Sequence, residues 1–375
     1  MECLLDHQET DIPLGPHRIA GAKFAYTTRF VGSRIKFDPN GWSLLSERTT
    51  VPRVGDVVLA RVEKLGQHPR IELPDGRRAA LFVGDEILVA YGNRYAPDQF
   101  DAELPGDLGQ AHLVAAGGVA GQTLSAHDSM SAPTQIRPLG LLCDSSGVVE
   151  LSRYAPHALS IAPGAVPKPG PVVIAVVGTS MNSGKSTTVA AIVRGLKAAN
   201  LVVHAGKVTG TGAGGDPQLF RESGADLVLD FTDFGFPSTY LADDADVKNL
   251  FLSLVKSLNR GQPSVIVVEI ADGIFQRETA ALLATSEFQN GVDHVVFSAG
   301  DATSALAGTE ILARNGLWPV AISGPLTMSP LAMREAAANL PVPIHSVAGL
   351  SSREIASALF ARPRRLQVLA DESVA

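Results

Sequence analysis

The chain has 375 residues, 45% of them hydrophobic and 18% charged, with a formal net charge of −7. Such a composition excludes a disordered chain, and the length allows two domains with cores of their own. The acid excess opposes a general electrostatic hold on nucleic acid, and two cysteines, Cys3 and Cys143, are too few for a disulfide framework and point to a reducing cytoplasm.

The opening MECLLDHQETD is acidic and lacks the basic-then-apolar pattern of a signal peptide. No apolar run reaches the ~18–20 residues of a membrane helix, so a membrane is not an expected partner. Residues 1–50 scatter Arg18, Lys23, Arg29, Arg34 and Lys36 among short extended patches. From Val51 the pattern is β. Residues 54–91 alternate in short runs broken by Gly55-Asp56, Pro74-Asp75-Gly76 and Gly84-Asp85, which predicts a small barrel or sandwich. A hairpin, LGLLCDSSGVVELSRY, is expected to turn near Asp144–Gly147. Small barrels often read nucleic acid, but the acidic balance favours a structural or substrate-capping role. His112, His127 and Asp128 lack the spacing of metal ligands. Residues 162–171, APGAVPKPGP, hold four prolines and two glycines and read as a linker. The expected division is therefore a β-rich domain at 1–161, a linker at 162–171 and a second domain at 172–375.

Past the linker, strands alternate with helices. Strands are predicted at 172–177, 201–206, 226–230, 264–270, 293–299, 318–323 and 343–347. Helices are expected at 247–258, at 303–315 before a stop at Gly316, after Ser329-Pro330, and after a capping box formed by Ser351 and Glu354. Seven such strands imply an α/β fold: a parallel sheet covered on both faces, with ligands at the carboxyl ends of the strands.

The first of these strands runs into VVIAVVGTSMNSGKSTT, Val172 to Thr188. A strand, a glycine-bearing loop, a lysine and two hydroxyls at a helix start form a phosphate cradle built on backbone N–H groups. Lys185 is placed for the outer phosphates and Ser186 for Mg²⁺. Five residues, Thr179 to Ser183, separate the glycines where the usual loop has four. The second strand ends at Lys207, followed by a loop with Gly210, Gly212, Gly214 and Gly215 that leads to Asp216. The fourth, SVIVVEIADG, delivers Glu269 and Asp272. A carboxylate at the end of a buried strand beside a phosphate loop organises Mg²⁺ and requires a cationic partner. A helix N-cap is the alternative reading of Asp272, and it fits Glu269 poorly. The loop from Gly300 to Ser304 is either a second wall of the site or only a helix cap. Arg277 and the stretch Asp233 to Tyr240 are candidates to line a substrate.

With its five-residue loop GTSMNSGKS, Lys207, Asp216, the VEIADG strand end and the later GDATSALAGTEIL and PVAISG segments, the stretch from Val172 to Phe360 resembles the dethiobiotin synthetase-like (SIMIBI) branch of P-loop NTPases. Ser180 replaces that family's loop aspartate, and the β-rich first part has no counterpart in that enzyme, so the resemblance extends to fold and nucleotide chemistry but not to dethiobiotin synthesis. It implies ATP and Mg²⁺ as cofactors. ATP would lie on Gly178, Thr179, Ser180, Met181, Asn182, Ser183, Gly184, Lys185, Ser186 and Thr187. Mg²⁺ would be held by Ser186, Asp216 and Glu269, with Lys185, Lys207 and Glu269 catalytic. The substrate is expected between the second and fourth strand ends, near Gly212, Gly214, Gly215, Asp272, Arg277 and Tyr240.

The expected activity is ATP-dependent activation of a small anionic substrate, a carboxylate or carbamate, by ligase, cyclase or kinase chemistry. A homodimer is the expected assembly. One alternative is a regulatory ATPase that dimerises on ATP, though such proteins carry a second loop lysine where Ser180 stands. Another is a polynucleotide kinase-like protein, which the charge disfavours.

Overall fold

The computed structural model describes residues 11–13, 15–159 and 170–360. Most of the expected linker, 162–169, lies outside them. Among the described residues no helix is long and apolar enough to cross a membrane.

The first part is built on five strands: β1 (Val57–Lys64), β2 (Glu86–Tyr91), β3 (Ala111–Ala115), β4 (Val119–Ala126) and β5 (Thr134–Asp144). β1 pairs with β2 and β5, β2 with β4 in parallel, and β3 with both β4 and β5, so the ring closes into a small barrel. Alternation sorts its residues: Val58, Ala60 and Val62 join one core, Val57 and Leu59 another beneath the helix Arg29–Phe37. The hairpin turn lies where expected, with Asp144 opposite Gly147. The scattered basic residues of the first fifty are largely ion-paired: Arg18 with Glu86 at 2.9 Å, Lys23 with Asp85, and Arg29 with Asp233 at 2.6 Å.

The second part is a six-stranded parallel sheet: β6 (Val172–Gly178), β7 (Val203–Lys207), β8 (Leu227–Asp230), β9 (Val265–Glu269), β10 (His294–Ser298) and β11 (Pro319–Ser323), in the order β8-β7-β9-β6-β10-β11. Its strands are near-continuous apolar runs because both faces are covered. Val173, Ala175 and Val177 pack on one side with the helix Asp244–Leu258. Val172, Ile174 and Val176 pack on the other with the helix Lys185–Ala198. The chain is thus an α/β P-loop NTPase fold preceded by a β-rich part.

The seventh expected strand, 343–347, does not form. Ile344 makes a single parallel bridge to Ile322, with hydrogen bonds from Ile322 N to Pro343 O and from His345 N to Ile322 O, both 2.9 Å. Pro341 and Pro343 lack the N–H groups that would extend the ladder. Ser351 and Glu354 form no capping box; Ser351 ends the short helix Val347–Leu350, which Ser346 caps. Ser329 caps its helix as expected, accepting from Ala332 N.

Candidate functional site: a cavity between barrel and phosphate loop

β6 delivers the chain into the phosphate loop at Gly178, where a Cβ would stand 2.2 Å from Ser183 Oγ. Gly184, at φ +86°, turns the loop into the helix that begins at Lys185. Neighbouring strand ends brace it: Thr179 N donates to Ser298 O and Ile274 N to Gly178 O, each at 3.0 Å. Lys185 is buried, and its Nζ donates to Ser180 O at 2.8 Å. Burial draws its pKa below the ordinary lysine value, while the charges of Glu269 and Asp272 oppose that.

Sheet register sets Lys207 beside Glu269, and Glu269 beside Val176 at the root of the loop. Lys207 Nζ lies 3.4 Å from Glu269 Oε1 and donates to Asp216. Buried as it is, Lys207 is held above its ordinary pKa by those two acids. Burial alone would raise Asp216, but the charge and hydrogen bond of Lys207 carry it below the usual carboxylate range. Glu269 is only 2% exposed; burial pushes its carboxyl up against the pull of Lys207, and Oε2 has no hydrogen-bond partner. Ser186 lines the same cavity as both acids.

These residues fit Mg²⁺. That ion takes one or two carboxylates and shares its remaining positions with phosphates and water. Two acids, a hydroxyl and an orphaned buried carboxylate oxygen answer that description. No group of three or more His, Cys, Asp or Glu side chains suited to a metal occurs among the described residues, so a cage made of protein alone is not on offer.

A cavity of about 650 Å³ opens over this cluster. Its floor includes Met181, Asn182, Gly184, Lys185, Ser186, Thr187, Lys207, Asp216, Glu269 and Asp272. Asp272 faces the cavity and caps no helix; Gln276 caps the following one. Burial raises the Asp272 carboxyl. The opposite wall comes from the barrel part: His68, Glu72, Arg78, Arg94, Tyr95 and Gln99.

Close backbone approach holds the wall in place. A Cβ on Gly117 would stand 1.9 Å from Gly212 O, and one on Gly214 would stand 2.9 Å from the Tyr26 ring. Tyr26 Oη donates to Asp230 Oδ2 at 2.9 Å, and Arg29 reaches Thr232 and Asp233 at 2.7 and 2.6 Å. Asn182 of the phosphate loop donates to Asp98 at 2.6 Å. The glycine-rich loop is therefore clamped by the barrel: Gly212 and Gly214 face the barrel part, and Gly215 begins the helix Gly215–Glu222.

Other expected substrate residues lie elsewhere. Arg277 is 58% exposed at its side chain, bound to Glu278 and to Ala242 O at 2.8 Å, and does not line the cavity. The stretch Asp233–Tyr240 is occupied by the junction with the barrel and borders a separate 480 Å³ cavity. Tyr240 meets the site only by packing on Tyr95, ring centroids 5.5 Å apart. Asp301 accepts from Ser304 N at 2.8 Å, so the Gly300–Ser304 loop caps its helix.

Sequence reasoning did not find His68, Arg94, Tyr95 or Gln99. Nothing local marks them, since the strands around them carry no motif; a buried arginine becomes conspicuous only once its burial is known.

No family model and no curated protein matches the chain. Solved structures similar to it include the signal recognition particle receptor FtsY from Elizabethkingia anophelis, at 15% identity and TM-score 0.34, covering 56% of this chain and 70% of that one. The same receptor in complex with GDP gives 17% identity and TM-score 0.35, covering 57% and 70%. Likeness at that level carries no functional argument; the P-loop fold rests on the sheet order and loop geometry described above.

Proposed function

We propose that the chain is an ATP- and Mg²⁺-dependent enzyme that activates a small anionic substrate by phosphoryl transfer, of ligase or kinase type. The observation that carries this reading is the cluster of Lys207, Asp216, Glu269 and Ser186 at the foot of the phosphate loop, with Glu269 Oε2 buried and unpartnered. Bound Mg²⁺ would supply charge neutralisation across the outer phosphates. Lys185, now resting on the Ser180 carbonyl, lies in the same loop and is the cation for those phosphates. Lys207, set beside Glu269 by the sheet register, would supply positive charge where charge develops on the transferred group.

The test is a screen of small carboxylic acids and other metabolites for nucleotide consumption, run with ATP and with GTP. Substrate-dependent consumption of ATP that Lys185→Ala and Glu269→Ala each reduce by at least a hundredfold is expected. Normal rates in either variant would remove that residue from the mechanism. Consumption that no small molecule stimulates would defeat the reading.

A further inference from the structure

The far wall of the cavity carries a charge that the phosphate chemistry does not use. Arg94 is 5% exposed. Its Nη2 donates to Gln99 Oε1 at 2.7 Å, and Nη1 lies 3.5 Å from His68 Nε2. Nε is buried with no hydrogen-bond partner. Asp98 and Asp272 act on the guanidinium through their charge alone, and Asp98 already accepts from Asn182. Burial lowers the Arg94 pKa to about 10, so it remains a cation at neutral pH. A buried cation without a bonded acid is costly, and an anionic ligand is the natural remedy.

We propose that Arg94 anchors a carboxylate of the acceptor, so that the substrate is a small bifunctional carboxylic acid spanning the cavity. One end is its carboxylate on the barrel wall; the other is the reacting group beside Lys207. The inference rests on the reading that a triphosphate occupies the phosphate loop. The geometry favours a carboxylate over a second phosphate. The unused Nε and the spare N–H groups on Nη form the planar fork that takes a carboxylate through two parallel bonds. His68 beside it adds no charge, since burial and then Arg94 hold its pKa down to about 4. Arg78, the other cation of this wall, is exposed rather than buried. A single buried positive charge flanked by neutral Gln99 and His68 suits a monoanionic group.

Calorimetric titration of the full chain, loaded with Mg²⁺ and a non-hydrolysable ATP analogue, tests this. The probes are succinate, glutarate and L-glutamate, with inorganic phosphate as control. At least one acid is expected to bind more tightly than phosphate. Arg94→Met and Arg94→Lys should weaken that acid at least tenfold and leave the affinity for the analogue within twofold. Gln99→Ala, which keeps the guanidinium but frees it, should weaken the acid several-fold and serves if the Arg94 variants melt early. The proposal is overturned if no acid binds, if phosphate binds as tightly as the acids, if the variants bind the acid as the wild type does, or if they lose the nucleotide analogue tenfold. Should the analogue fail to bind the wild-type protein, the nucleotide reading falls instead; the same acids titrated into nucleotide-free protein then decide whether Arg94 holds them.

Discussion

Replacing Glu269 by Gln separates the cost of folding from the requirement of the site. Lys207 Nζ stands 3.4 Å from Glu269 Oε1, which at an effective dielectric near 20 is a gross attraction of about 5 kcal/mol. Yet the carboxyl is raised from its ordinary pKa, because loss of water outweighs that attraction and Oε2 finds no partner. A carboxyl raised on folding costs stability in full at pH above its folded value, and the cost is relieved as pH falls from the folded value to the unfolded one. Glu269→Gln removes the charge at nearly constant volume. Unfolding free energy at pH 7.5 should therefore stay within about 1 kcal/mol of wild type or rise, because Lys207 keeps Asp216 as its ionic partner and is not left as an unpaired charge. Lys207→Met is the opposite case. It leaves the buried Glu269 without its cation and facing the half-buried Asp216, and should cost about 3 kcal/mol. Urea unfolding followed by circular dichroism measures both. Mg²⁺-dependent turnover should fall a hundredfold or more in Glu269→Gln despite intact folding. A Glu269→Gln protein destabilised by more than ~3 kcal/mol, with Lys207→Met unaffected, would refute this electrostatic reasoning.

Gly117→Ala would set a Cβ 1.9 Å from the Gly212 carbonyl, and backbone on both sides must shift. We expect a loss of about 1–3 kcal/mol and faster amide exchange across Gly210–Gly215, read by mass spectrometry; unchanged exchange would mean that the barrel does not clamp this loop. His68 tests the wall by pH. Its folded pKa of about 4 lies below the ordinary 6.5 through burial and then Arg94, so the unfolded chain binds the proton more readily. Stability is then lost as pH falls below 6.5 and levels off below 4, by up to about 3 kcal/mol. His68→Gln should flatten that part of the unfolding-versus-pH curve, and an identical slope in the variant would show that other groups set it.

Much of the second part was legible in the amino-acid order because its signals are short in range. A buried strand, a glycine loop and Gly-Lys-Ser at a helix start are set within seventeen residues, Val172 to Thr188. The apolar runs of β6, β9 and β10 announce strands covered on both faces. Lys207, Asp216 and Glu269 stand out because a polar group ends an apolar run or a glycine loop. Even here a local pattern failed where a single missing donor decides: 343–347 reads as a strand, but Pro343 leaves one bridge to β11.

What the sequence by itself determined is the phosphate loop, the strands that carry the polar residues to one edge, and the β character of the first part. Only the tertiary structure decided that this first part lies across that edge. The contacts that dock it, such as Tyr26 with Asp230, join residues 204 positions apart, and no periodicity or motif records a pairing at that distance. The same holds for Arg94. Its position in the chain is unremarked, and its meaning comes from burial opposite Lys185 in a cavity that neither half forms alone.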